Sequence, residues 1–257
     1  MLELTIWHWI ALALASWLTG LGKGGVPGAG IVTVAVFAWV LDHAGVDEGV
    51  RRSVGLLLPV LVSADVIAVL IYRQHAEWRH LLRLLPWTFL GIIAGYFVFD
   101  YLSGERLKTI IGIILLAMTV IHFGKQFLLP GKPSDKSTSR GELVWGIVLG
   151  FLAGGATMLA NAAGPVAALY LIVMRLPKYA FLGTSAWLFL IVNVSKIPFM
   201  VDLDIISFES FDVSWKLFFP AALGAWMGPW VARRLNQTMF EALVWIFIVV
   251  TGVKFLF

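Results

Sequence analysis

The chain is 257 residues long, with 60% apolar, 14% aromatic and 13% charged side chains, a net charge of +4 and no cysteine. Soluble domains carry roughly 45–50% apolar and about 25% charged residues, so this composition, with a mean hydropathy of +0.90, excludes a water-exposed enzyme and demands a bilayer as solvent. The missing cysteines exclude disulfides, thiolate catalysis and cysteine-held zinc or iron–sulfur clusters; Lys and Arg set singly between apolar runs indicate basic loops, not a nucleic-acid surface.

Apolar runs bounded by charges predict segments at 4–21, 28–41, 54–72, 84–102, 108–128, 143–160, 162–174, 180–200, 215–232 and 238–256. A spanning helix uses about 20 residues. Segments 28–41 and 162–174 are marginal by that measure and read either as crossings or as half-helices. The expected fold is an all-α polytopic membrane protein of about 8–10 transmembrane or half-membrane helices. Ala13-Leu14-Ala15 imitates a signal-peptidase site, but Glu3 is the only charge ahead of the first run, where a secretory signal carries Lys or Arg. That run is read as a retained helix.

The polar stretch Pro130 to Glu142, PGKPSDKSTSRGE, separates a first membrane repeat at 1–129 from a second at 143–257. The halves answer each other: Gly55 after Arg51-Arg52 opens a helix holding Asp65, and Gly183 after Lys178 opens one holding Asn193. Gly91 and Gly95 near Pro86 likewise match Gly224 and Gly228 near Pro220. Five segments per half make the second repeat inverted if all of them cross, an arrangement common in secondary transporters. The connections holding Arg73, Arg79, Arg83, Lys125, Lys132, Lys136, Arg140, Arg175, Lys178, Arg233 and Arg234 are the basic set and are expected on the cytoplasmic side. The acidic connection Val201 to Ser214, with both termini, then lies outside.

Gly20 to Gly30, GLGKGGVPGAG, interrupts the first apolar region with six glycines, a proline and Lys23. Non-helical backbone at membrane depth is tolerated only when buried in protein or lining a watery cavity. The amides of Gly24 and Gly25, with the positive end of the next half-helix and Lys23, would cradle an anion; alternatively, Lys23 snorkels and the glycines serve close packing. The second half offers Gly154 to Pro165, in which Asn161 and Gly164 sit among small residues and Pro165 is placed to open a half-helix. The two breaks are expected to face each other at the repeat interface. Asp65 and Lys196 are ionisable groups inside apolar runs, which by default mark pathways or relays. Asp65 reads as a proton carrier or as a countercharge to Lys23 or Lys196. Asn193 accompanies Lys196, and Thr184 and Ser185 supply hydroxyls for an oxyanion or simply cap a helix. His8, His43, His75, His80 and His122 form no paired ligand motif and no GxSxG elbow occurs, so catalytic and metal residues are not expected, nor is a cofactor.

The stretch TMLANAAGPVAALYLIVMRLPKYAFLGTSAWLFLIVNVSKIPF, Thr157 to Phe199, resembles the TauE/SafE family of sulfite and organosulfonate exporters, and GLGKGGVPGAG is similar to that family's amino-terminal glycine motif. Val26-Pro27-Gly28 and the polar insert from Asp42 to Arg52 depart from the usual pattern. The resemblance implies a multi-pass inner-membrane carrier of small sulfur anions such as sulfite, sulfoacetate or isethionate, driven by an ion gradient, with the Lys23 and Asn161 motifs as its cradle. The expected partners are that anion and the bilayer, with a homodimer left open and nucleic acid excluded. Rival readings are an intramembrane enzyme or assembly factor and a passive anion channel.

Overall fold

The structure, a computed structural model, describes residues 4–30, 32–46, 49–99, 139–206 and 208–254, with scattered positions from 101 to 120 and position 256. Most of the expected segment at 108–128 and most of the polar stretch 130–142 lie outside the described residues. Among those described there is no strand. The helices are α1 (Ile6–Lys23), α2 (Thr33–His43), α3 (Gly49–Tyr72), α4 (Trp78–Val98), α5 (Ser139–Ala160), α6 (Ala163–Val173), α7 (Lys178–Asp202), α8 (Phe208–Lys216), α9 (Phe218–Arg234) and α10 (Gln237–Lys254). A 3₁₀ turn, Arg73–His75, follows α3.

Among the described residues, five helices are long and apolar enough to cross a membrane: Arg51–His75, Trp78–Val98, Leu143–Ala160, Lys178–Asp202 and Gln237–Lys254. The two marginal segments are the shorter apolar helices Thr33–His43 and Ala163–Val173, 11 residues each. At 1.5 Å per residue each rises about 16 Å, roughly half of a ~30 Å hydrocarbon core. The polarity of the protein is arranged for lipid: Trp7, Leu82, Phe97 and Phe219 are exposed while Asp65 and Lys196 are fully buried.

Two departures from the segment boundaries have clear causes. Helix α1 runs on through Gly20 and Gly22 to Lys23, because glycine is the residue its packing requires there. A Cβ at Gly20 or Gly24 would collide with the backbone of Ala221 or Ala225, and one at Gly224 or Gly228 with that of Trp17 or Gly24. The segment expected at 215–232 is instead divided at Leu217, and the acidic connection before it carries α8. Ser214 donates to the Leu56 carbonyl at 2.7 Å, and Val213 is buried, so one face of α8 is fastened to α3 while Phe211 and Trp215 stay exposed.

The chain divides into two compact units, Met1–Glu77 with Pro177–Leu243 and Trp78–Leu176 with Val244–Phe257. In the first, α3 lies against α2, α7, α8 and α9, and α1 crosses α9 at the glycine contact. Its core includes Leu12, Phe37, Leu57, Val60, Ala64 and Ala221. In the second, α4 packs along α5, and α5 on α6. Gly91 and Gly154 meet there so closely that a Cβ on either would run into backbone of the opposite helix. Both units therefore contain a glycine-mediated crossing in which a helix from before the polar stretch meets one from after it.

Candidate functional site

The polar side chains read from the sequence are divided between the two compact units. Lys23, Asp65, Thr184, Ser185, Asn193 and Lys196 belong to the first unit, Asn161 and Gly164 to the second.

In the first unit, Lys23 is the last residue of α1. At that end of a helix a cation is favoured by the carbonyl dipoles. The chain then leaves the helix at Gly25, whose φ of 133° suits glycine, and Val26 N–H closes back on the Leu21 carbonyl at 3.1 Å. A Cβ on Gly25 would also sit 2.8 Å from the Ala232 Cβ and 3.0 Å from the Tyr72 hydroxyl. The amide of Gly24 donates to the Gly20 carbonyl at 2.7 Å, so this N–H and that of Val26 finish α1. The Gly24 carbonyl accepts from the Tyr72 hydroxyl at 2.7 Å, which ties the break to the end of α3. Behind the break, the hydroxyls of Thr19 and Thr33 are 2.7 Å apart and fasten α1 to α2.

This end geometry aims Lys23 at the middle of α3. Its Nζ lies 2.8 Å from Asp65 Oδ1, and Asp65 has no solvent exposure while the Lys23 side chain retains 16%. The second carboxylate oxygen, Oδ2, accepts from Asn193 Nδ2 at 2.6 Å. The same ammonium stands 3.7 Å from the centroid of the Phe189 ring, a cation–π contact in a site largely shielded from water. Phe189, Asn193 and Lys196 follow at i, i+4 and i+7 on α7 and share a face. Lys196 is fully buried. Of the roles considered for Asp65, the countercharge to Lys23 is the one with a geometry. A carboxylate held by an ammonium and an amide is oriented on both oxygens, as a buried charge must be to persist.

Thr184 and Ser185 lie well inside α7 rather than at its start. Thr184 accepts the Glu77 N–H at 2.9 Å just ahead of Trp78, while Gly183 beside it lets α7 press on the backbone of Tyr72 and His75. Ser185 donates to the Leu182 carbonyl at 3.1 Å. In the second unit, Asn161 occupies the left-handed region with φ of 51° and ends α5 through its own N–H to the Thr157 carbonyl at 3.1 Å. Asn tolerates that conformation better than other non-glycine residues. Gly164 and Pro165 open α6, as the proline position suggested.

Two members of the cluster were not singled out from the sequence. Phe189 was signalled by its helical spacing to Asn193 and Lys196, and Tyr72 by lying two turns after Asp65 on the same face of α3. Among the described residues no group of three or more His, Cys, Asp or Glu comes together as a metal site would require.

A family model described as Sulfite exporter TauE/SafE matches residues 12–255. A probable membrane transporter protein of Methanocaldococcus jannaschii is 24% identical over 134 residues, 49% of this chain and 48% of that protein. The chain thus aligns with about half the length of this relative. No solved structure matches.

Proposed function

The chain belongs to the sulfite exporter TauE/SafE family of membrane transporters, and from that premise we propose that it is a secondary carrier exporting small sulfur-containing anions such as sulfite, sulfoacetate or isethionate. The observation that carries the reading is the group formed by Lys23, Asp65 and Asn193, with the fully buried Lys196 about one helical turn beyond Asn193 on α7. Ionisable side chains at membrane depth are costly and mark substrate or ion pathways. This group offers two ammonium donors, one carboxylate and one amide, which is chemistry that recognises an oxyanion and can hand a proton or a charge from one partner to another. Lys23 supplies charge to the anion, Asn193 hydrogen bonds, and Asp65 and Lys196 are the groups that couple its movement to an ion gradient. Thr184 and Ser185 belong to the polar set of the first unit assigned to the substrate, and Asn161 and Gly164 to that of the second.

The test is counterflow in proteoliposomes with sulfite, sulfoacetate, isethionate, taurine, thiosulfate, sulfate and lactate, with and without a proton gradient. Saturable movement of a sulfur anion that responds to the gradient is expected. Flux that rises in proportion to concentration without saturation would instead indicate a channel, and no flux from folded protein would remove the carrier reading.

A further inference from the structure

The side chains of the Lys23 cluster differ in how open they are. Asp65 and Asn193 are buried, whereas the Lys23 side chain keeps 16% of its surface and Phe189 is part-exposed. The carboxylate therefore stands behind, held through Oδ1 by Lys23 at 2.8 Å and through Oδ2 by the Asn193 amide at 2.6 Å. What the cluster shows to an arriving molecule is an ammonium and an aromatic ring, with the ring centroid 3.7 Å from Lys23 Nζ. Ser185, one turn before Phe189 on the same face of α7, is part-exposed too. The exposed apolar residues Val194 and Val201 lie roughly 130° further round that helix. Asp65 belongs to a membrane-spanning helix, and at such depth a cationic side chain is not left open to lipid. The opening at Lys23, Phe189 and Ser185 is thus on the wet side of α7.

An ammonium has three donors, and Asp65 takes one of them. An anionic head on another donor brings whatever is bonded to that head against the neighbouring ring. A bare inorganic oxyanion has nothing apolar to lay there, while the carbon tail of a sulfonate does. We propose that Phe189 is a specificity-determining residue that lies against the tail of an anion whose head sits on Lys23, so that cargo is graded by its tail, short alkylsulfonates being preferred to inorganic anions of the same shape and charge and to hydroxylated tails. This rests on the carrier reading above and narrows it. The ring also steadies the ammonium through the cation–π contact. Two substitutions separate these contributions: leucine keeps apolar bulk without a π face, and alanine removes both.

The test is counterflow with one head on a growing tail: methanesulfonate, ethanesulfonate and propane-1-sulfonate, beside isethionate and sulfamate, the last matching methanesulfonate in shape and charge without carbon. In the wild type kcat/KM is expected to rise about two- to fourfold per methylene, with sulfamate below methanesulfonate and isethionate below ethanesulfonate. Phe189→Ala is expected to flatten the series. Phe189→Leu should keep the slope and lower every anion by the same factor, about two- to fivefold. A flat series in the wild type, an unchanged slope in folded Phe189→Ala, or wild-type rates in Phe189→Leu overturns the proposal. If Phe189→Ala does not fold, the wild-type series and Phe189→Leu still decide. Failure of the wild type to move any of these anions or those of the earlier panel would defeat the carrier reading itself, a result distinct from transport without grading by tail.

Discussion

At the scale of single residues, the pairing of Lys23 with Asp65 changes what a substitution at Lys23 reports. Removing the ammonium alone strands a fully buried carboxylate, and breaking a buried pair from one side costs about 3–5 kcal/mol. Lys23→Met should therefore lower the melting temperature of the purified protein in detergent, whereas Lys23→Met with Asp65→Leu should recover most of the loss, since neither charge then remains. A double-mutant cycle on thermal stability checks this, and additive losses would mean that the two side chains do not interact. Transport should stay abolished in both variants, which separates the structural role of the pair from its role toward the anion. Asp65, Lys196 and Asn193 stand out in the sequence because apolar runs make polar residues conspicuous. Their partners do not: with Lys23 and Lys196 both open as countercharges to Asp65, nothing in the order of residues says that Lys23 reaches it. That choice is made where α1 ends, and the end is set by Gly25 and by Tyr72 donating to the Gly24 carbonyl.

At the scale of helices, the glycines carry two meanings that a sequence does not separate. GLGKGG reads as an interruption, yet its first four residues are helical, because α1 presses on α9 where only glycine leaves room. Hydrophobic runs located most helices, including the two of 11 residues, since burial in lipid and burial in protein both select apolar side chains. Helix α8 escaped notice because it holds an acidic stretch, and its one docked face depends on Ser214 meeting the Leu56 carbonyl. The neighbours Gly154 and Gly155 in α5 test the packing account with opposite signs. A Cβ at Gly154 collides with the Thr88 carbonyl and approaches Ile92 N to 2.8 Å, whereas one at Gly155 meets nothing nearer than the Gly91 oxygen at 3.9 Å. Gly154→Ala should sharply reduce the yield of folded protein. Gly155→Ala should raise stability by about 0.5–1 kcal/mol, the usual gain of alanine over glycine inside a helix. Matching effects of the two substitutions in a thermal-shift measurement would refute the close crossing of α4 and α5.

At the scale of the whole molecule, each compact unit draws helices from both sides of the polar stretch: α1 pairs with α9, α3 with α7, and α4 with α5. Helices of matching position in the two halves thus meet or exchange partners, a pattern that a duplicated and inverted pair of repeats would generate and one that supports the proposed repeats at 1–129 and 143–257. Inversion has a consequence for orientation. With an odd number of crossings per half, the basic connections of both halves fall on one side, and the positive-inside rule puts that side in the cytoplasm. The absence of native cysteine makes the protein a clean background for labelling. A single cysteine placed by Ser134→Cys in the basic polar stretch should resist a membrane-impermeant maleimide in intact cells and react after the membrane is opened. One placed by Ser207→Cys in the acidic connection should react in intact cells. If both sites label from the same side, the number of crossings between them is even and α6 does not span; if α2 behaves as its counterpart, each half has four crossings and the duplication is not an inverted one.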